Sequence, residues 1–574
     1  MTIRDLRHAP HNSILRADVA IIGGGPAGLT IARELANTKM SVLVVDSGGL
    51  EYDSETQTLN AVENVGEPVK RSGAEEIGRG YTDALSWLND IPAFELRNRL
   101  LGGSSHTWLG KSAAFDDMDF ASRPWLRHTG WPFKRRDIQT ALDRASELLN
   151  LGPNVYDEGL EQLLRSPPAD LGIDRDFLRS FFWQFSKERD RGRQPMRFVN
   201  LARDADAANV DFLTYATVTE INLDPYGRRA HSLDVSSLDG QSARIRADTI
   251  VLCGGGIENA RLLLSSNSVA TEGIGNDRGV VGRYLVDHPR ASLIRFTGTG
   301  IKAVASQFNF FGLTDKGKAR YYLRGLSLSP DVQAREGLTN CAAYPAQVHA
   351  QNNPWAALSR LSRGVKRTAL ADVSCVLASS GMIASGLYNR LVHKHGLPHK
   401  SVELRFDVMA EQQLDPDSRI TLSESRDPFG IPRARVDWKI GSVEVESIKR
   451  LGRLLFAEFN RVGLPGSQLA EWIEQDDPGK ATFIDMAHPS CSTRMGNDPA
   501  NSVVDANAMV HGIDGLFIAG SSVFPTGGHA NPTLMILALA IRLSDHLKTR
   551  HRTGITMPQP LVDAEASEAD LSGV

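Results

Sequence analysis

Apolar positions at the start of the chain fall into runs of two alternating kinds. Residues 18–22 (DVAII) form a short apolar stretch fit for a buried parallel strand. Residues 29–37 carry apolar side chains at helical spacing, and residues 41–45 (SVLVV) form a second strand. Residues 134–208, with helical spacing over 138–149, read as mostly helical. Residues 210–223 and 245–252 are strand-like again, and the second runs through Cys253-Gly254-Gly255-Gly256 into the helical ENARLLLSS. From about residue 300 the period changes. Alternation over 402–409 and 419–422 predicts an antiparallel sheet, and residues 445–459 an amphipathic helix. Residues 515–520 read as a buried strand. Asn531-Pro532-Thr533 then opens a long apolar helix, with Pro532 suited to a first turn. These elements predict an α/β fold: a parallel-sheet unit plus an antiparallel sheet with helices.

Three stretches depart from this pattern. Residues 51–94 are polar and mixed, and read as a connecting excursion or a lid. The cluster Phe181, Phe182, Trp183 and Phe185 suits either a pocket wall or, given how much area aromatic rings bury, a core. Residues 373–387 carry no charge. Arg360, Arg363, Lys366 and Arg367 precede them, and Arg390 and Lys394 follow. The run is serine-rich and shorter than the roughly 20 residues a spanning helix needs. It reads as a helix covering the antiparallel unit or as a dimer contact. The other reading is a membrane-surface contact through 370–390, anchored by the basic flanks.

Composition narrows the class. A chain of 574 residues builds more than one core, and 41% hydrophobic and 23% charged residues are ordinary for a soluble globular protein. The net charge of −4 gives no case for nucleic acid as a partner. Cys253, Cys341, Cys375 and Cys491 are scattered, with no C-x-x-C pair. That argues against a zinc site or disulfide framework and suits a reducing, cytoplasmic setting. The N-terminus (MTIRDLRHAPHNSILR) lacks the apolar core of a secretory signal. Residues 553–574 are polar and acidic, the composition of a disordered tail.

The candidate chemistry starts at the first strand–helix turn. Gly23, Gly25 and Gly28 form G-x-G-x-x-G, with Pro26 and Ala27 inside it. The first glycine permits the turn, the second lets backbone approach a pyrophosphate, and the third lets helix and strand pack closely. Asp46 ends the next strand, placed to accept hydrogen bonds from a ribose. The whole order indicates a dinucleotide site without separating NAD from FAD. Gly102-Gly103-Ser104-Ser105 is a second small-residue loop that could lie against a flat ring or a phosphate. His106, Trp108 and Gly130-Trp131-Pro132 follow it. The turn at Gly254 also faces a helix N-terminus toward an anion.

GGSS followed by a polar residue and Trp, then GWPF, resembles the glucose–methanol–choline (GMC) family of FAD-dependent oxidoreductases. So does nearly every position from His488 to Leu547. The type it resembles is the bacterial sugar and alcohol oxidoreductase, pyranose oxidase-like. The resemblance implies a discontinuous FAD-binding domain (15–55, 95–133, 205–295 and 485–550). The rest (56–94, 134–204 and 296–484) becomes a substrate domain and connecting segments. It places Val218, Gly254, Gly520, Ser521, Asn531, Pro532 and Thr533 at the cofactor, beside the glycine fingerprint, Asp46 and the loop from Gly102 to His106. Some members link a loop histidine covalently to flavin, one residue after His106, where this chain has Thr107; a non-covalent FAD is expected. Ser521 stands where many members have Asp. Asp287 and His288 (GRYLVDHP) fall in another family element and read as structural or cofactor-adjacent. The catalytic pair falls on His488 and Asn531: His488 takes the hydroxyl proton, hydride passes to flavin N5, and Asn531 binds the substrate oxygen. An imidazole of ordinary pKa, about 6.5, suits that role near neutral pH. His529, two residues from Asn531, is the next candidate. The implied substrate is a small alcohol, by resemblance a sugar or glycoside, with the electron acceptor left open among oxygen, a quinone and a protein carrier. The alternatives are a non-redox hydroxynitrile-lyase-like enzyme and a catalytically idle flavoprotein subunit.

Overall fold

The computed structural model describes residues 2–66, 97–163, 170–188, 195–203, 207–308, 310–315, 318–362, 368–393 and 396–553. Most of the 51–94 excursion, and the tail beyond residue 553, lie outside the described residues.

One sheet carries the dinucleotide elements. Its order is Ile3–Asp5, Val210–Thr214, Val42–Val45, Ser13–Ile22, Ser242–Leu252, then Ala230–Ser236 and Thr217–Leu223. The first five strands run parallel, the last two antiparallel, and Leu516–Ile518 joins the upper end of Ser242–Leu252 in parallel. Ser13–Ile22 starts earlier than its apolar run suggests, because its polar first half pairs Ser13–Ala17 with Ala243–Ala247. The helix Pro26–Leu35 begins at the proline. It packs against Thr533–Arg552, which also meets Gln139–Leu148.

The second sheet is antiparallel. Its order is Ser467–Leu469, Arg290–Phe296, Ser401–Ala410, Cys341–His349, Lys318–Leu328, Leu178–Phe185 and Lys111–Ser112, with Phe310–Asp315 beside Lys318–Leu328. The helix Ser442–Arg461 covers one face through Ile448, Leu451, Leu455 and Phe459, all fully buried.

Two expectations need correction. Residues 134–208 are not mostly helical among those described, since Leu178–Phe185 is a strand of the antiparallel sheet. Phe181, Phe182 and Trp183 are all buried, so the strand shows no alternation in sequence. The strand at 419–422 does not join that sheet either. Arg419–Arg426 pairs with Pro432–Asp437, which pairs in parallel with Glu63–Asn64. Arg261 ties this small sheet to the helix Gly255–Ser265, with Nε donating to the Pro432 carbonyl at 2.8 Å and Nη2 to Asp427 at 2.6 Å.

The apolar run forms two helices, Ala369–Ala378 and Ser380–Tyr388, bent by 67°. No single helix among the described residues is long and apolar enough to cross a membrane. The pair does not serve as an inward-facing cover: Leu370 is 91% exposed and Leu377 68%, and Leu391 just beyond is 69% exposed. Its lone carboxylate, Asp372, is buried against Arg360.

Candidate active site

A cavity of about 900 Å³ runs past the carboxyl ends of the central parallel strands, at Ile22, Val45 and Cys253, and reaches the edge of the antiparallel sheet at Lys111 and Arg290. The crevice beyond parallel-strand ends is the usual ligand site of such folds.

Its first end is built from the glycine loop. Gly23 has φ 102°, which favours glycine. A Cβ on Gly28 would lie 2.0 Å from the Gly23 carbonyl oxygen, so this glycine lets the helix close on the loop. Asp46 accepts from the N–H groups of Gly24 (2.7 Å) and Gly48 (2.8 Å) while lining the cavity. Burial raises its pKa, against those two donors and Arg99. The Gly102 N–H donates to the Gly24 carbonyl at 2.7 Å, locking the two loops together. Residues not singled out in the sequence complete this end: Asn60, Arg97, Arg99 and Glu258. Burial opposes the Glu258 charge, but Arg99, Arg261 and Arg97 outweigh it and hold the pKa down to about 2.

Gly23, Gly25, Pro26, Asp46, Gly103, Ser104, Ser105, Val218, Gly254, Ser521, Asn531, Pro532 and Thr533 all line the cavity. Ala27, Gly28, Gly102, His106 and Gly520 do not. Ala27 and Gly28 are buried in helix packing, and Gly102 and Gly520 are turn residues with φ of 100° and 113°. His106 is the instructive case. Its Nε2 lies 2.8 Å from the Leu101 carbonyl, so the ring folds back on its own loop and Thr107 takes the cavity side. The Ser521 hydroxyl donates to the Pro489 carbonyl at 2.7 Å.

At the other end stand His488 and Asn531, with Trp108, Lys111, Arg290 and Met486. Asn531 is 8% exposed and its Oδ1 has no hydrogen-bond partner in the protein. His488 is gripped from behind. The Asp287 carboxylate accepts from the N–H groups of Met486 (3.0 Å) and His488 (2.8 Å), across Ala487 at φ 55°. His488 Nδ1 lies 2.9 Å from Nδ1 of His288, and His288 Nε2 lies 3.3 and 3.0 Å from the carbonyls of Gly527 and Gly528. Carbonyls only accept, so His288 carries its proton on Nε2. Burial, opposed by those carbonyls, pushes the His288 pKa down to about 4, so the ring is neutral and its Nδ1 accepts. His488 must then donate from Nδ1, which leaves the lone pair on its Nε2. Burial first, then His288 and Lys111, hold the His488 pKa well below the usual imidazole value. The outcome is a neutral imidazole with a fixed tautomer on the cavity wall.

The sequence marks Asp287 and His288 as structural or cofactor-adjacent but does not show the contact of His288 with His488, because 200 residues separate them. His529, the reserve base, lies fully buried against Phe181 at 4.6 Å and does not line the cavity. Ligand atoms of Asp287, His288 and His488 lie within 4.8 Å of one another, as do those of Asp116, Asp119 and His529. In the first set they face one another in the network just described. In the second, Asp116 is bound by Arg179 and by Asn340.

The lining fits a dinucleotide with a flat ring. A Cβ on Gly25 or Gly255 would meet no protein atom within 4 Å and would project into the cavity, so both glycines keep space clear. The orphaned Asn531 Oδ1 and the Pro532–Thr533 helix start face the far end.

A family profile described as FAD dependent oxidoreductase matches residues 18–271, and one described as GMC oxidoreductase matches 415–540. The chain is 24% identical to the 6'''-hydroxyparomomycin C oxidase of Streptomyces lividus, over 92% of this chain and 90% of that protein. It is 22% identical to the 2-methyl-1,2-propanediol dehydrogenase of Mycolicibacterium austroafricanum, over 93% and 96%. The crystal structure of formate oxidase superposes with a TM-score of 0.55 at 15% identity, covering 95% of this chain and all of that one.

Proposed function

The chain belongs to the GMC family of FAD-dependent oxidoreductases, and from that premise we propose that it oxidises the CH–OH group of a small alcohol, of the sugar or glycoside class, with His488 as base. Bound FAD supplies the hydride acceptor. The cradle formed by Gly23, Gly25, Pro26 and the loop Gly103–Ser105 would hold its pyrophosphate and flavin, and Asp46 its ribose. His488 Nε2 accepts the hydroxyl proton, and Asn531 binds the substrate oxygen as charge grows on it. The first turn of Thr533–Arg552 directs N–H groups at the same region, which favours negative charge there. The observation that carries the reading is the His488–His288 contact, Nδ1 to Nδ1 at 2.9 Å, from which a lone pair on His488 Nε2 follows. A hydroxynitrile lyase would share the pair but leave the flavin oxidised. Anaerobic mixing with a panel of alcohols and sugars tests this: at least one member bleaches the flavin absorbance, and reoxidation by air or by a quinone then identifies the acceptor. Failure to bleach across the panel would overturn the reading.

The His106 ring is turned onto the Leu101 carbonyl, which supports a flavin held without a covalent bond. Acid precipitation is expected to leave all the yellow colour in the supernatant, and colour in the pellet would contradict it.

The exposed helix pair supports a membrane-surface contact. Residues 351–400 hold seven Lys and Arg against one carboxylate, in a chain whose net charge is −4. Exposed Leu370, Leu377, Leu387, Tyr388 and Leu391 add an apolar face. Apolar insertion plus attraction to an anionic leaflet is the physics of interfacial anchoring. All four cysteines are free, which suits a cytoplasmic side. The protein should float with phosphatidylserine vesicles at low salt. Leu370→Asp with Leu377→Asp should abolish flotation, and self-association that the same pair abolishes without any flotation would favour a dimer contact.

A further inference from the structure

Lys111 is the cavity residue this mechanism leaves unused. It stands on the two-residue strand Lys111–Ser112, held against Phe185 and Gln184 of the aromatic strand. The residue is only 7% exposed, yet it lines the cavity with His488 and Asn531. Its Nζ has no hydrogen-bond partner in the protein. It sits 3.6 Å from the Tyr344 ring centroid and 4.1 Å from that of Trp183. Arg290 lines the same end, and its guanidinium is bound by Asp407. The carboxylates on the lining lie elsewhere and are engaged: Asp46 by backbone N–H groups, Asp427 by Arg261, and Glu258 by Arg97, Arg99 and Arg261. Beside His488 and Asn531 the charged side chains on the lining are therefore Lys111 and Arg290, with the Asp407 and Asp287 carboxylates behind it. A buried amine with no acceptor is costly, and ring faces satisfy it only in part.

We propose that the alcohol oxidised in this cavity carries a carboxylate, which accepts a hydrogen bond from Lys111 Nζ beside Arg290, so that the substrate class is a hydroxy acid, such as a sugar acid, rather than a neutral or cationic alcohol. The inference rests on the alcohol-oxidation reading of the same cavity. Burial and the Arg290 charge hold the Lys111 pKa well below the usual lysine value. An incoming carboxylate favours the ammonium form, so anion binding draws the amine toward protonation.

The test is calorimetric titration of the FAD-loaded protein with glycerate, glyceramide and choline, in buffers of different ionisation enthalpy. Glycerate should bind at least about tenfold tighter than glyceramide, as one charge-assisted hydrogen bond requires. Its binding should be accompanied by proton uptake. Choline should bind weakest. Lys111→Met should remove both the preference and the proton uptake. Lys111→Gln, which keeps a donor, should lose the uptake while retaining flavin colour. Equal binding of glycerate and glyceramide, no glycerate binding, tighter choline binding, or a preference that survives in Lys111→Met would each overturn the proposal. Glycerate binding with no alcohol able to bleach the flavin would instead overturn the alcohol-oxidation reading and leave the anion subsite standing.

Discussion

His488→Ala is expected to fold, stay yellow and reduce its flavin about 10²–10⁴ times more slowly than wild type, the usual contribution of a general base. The loss belongs to the reductive half-reaction, where the hydroxyl proton must leave; reoxidation should be unchanged. Stopped-flow absorbance under anaerobic conditions separates the two. The pH dependence follows from the buried environment. A base works in its neutral form, which prevails above its pKa. Burial, above all, holds the His488 pKa well below the ordinary imidazole value. Wild-type reduction should therefore stay flat through neutral pH and fall only in acid. The sequence alone suggests an inflection near the ordinary value, because it does not show His288 set against the ring. Wild-type rates in His488→Ala would assign the base elsewhere.

His288→Leu should slow reduction by about 10- to 100-fold, the cost typical of losing the partner that orients a functional histidine. Leucine accepts no hydrogen bond. The His488 Nδ1–H loses its acceptor, the ring can adopt the other tautomer, and Nε2 then carries a proton where a lone pair is required. His288→Gln offers an amide oxygen to Nδ1–H and an amide N–H to the Gly527 and Gly528 carbonyls. It should recover much of the rate. A purely structural His288 would lower thermal stability in both variants while leaving the reduction rate of the folded fraction alone. Measuring rate per bound flavin alongside the melting temperature distinguishes the two roles.

What could be read from the sequence was what is local in the chain. The glycine fingerprint, its flanking strands and Asp46 lie within thirty residues, and each has its own steric or hydrogen-bonding cause. Helix Ser442–Arg461 was legible for the same reason, since one apolar face faces one sheet. The aromatic strand Leu178–Phe185 was not, because a strand buried on both faces has no alternation to detect. Lys111–Ser112 is too short to carry any period. The hairpin at 419–437 showed its first strand but not its parallel partner, since Glu63–Asn64 lies more than 350 residues away. His488 and Asn531 were named through the family resemblance, and both line the same cavity. The groups that tune them, His288, Asp287 and Lys111, come from distant segments whose meeting depends on the fold.

The most direct test is a crystal structure of the FAD-loaded protein with an alcohol bound. The account predicts the adenosine ribose at Asp46, and the substrate hydroxyl hydrogen-bonded to His488 Nε2 and Asn531. A hydroxyl held by other groups, with His488 donating rather than accepting, would contradict it.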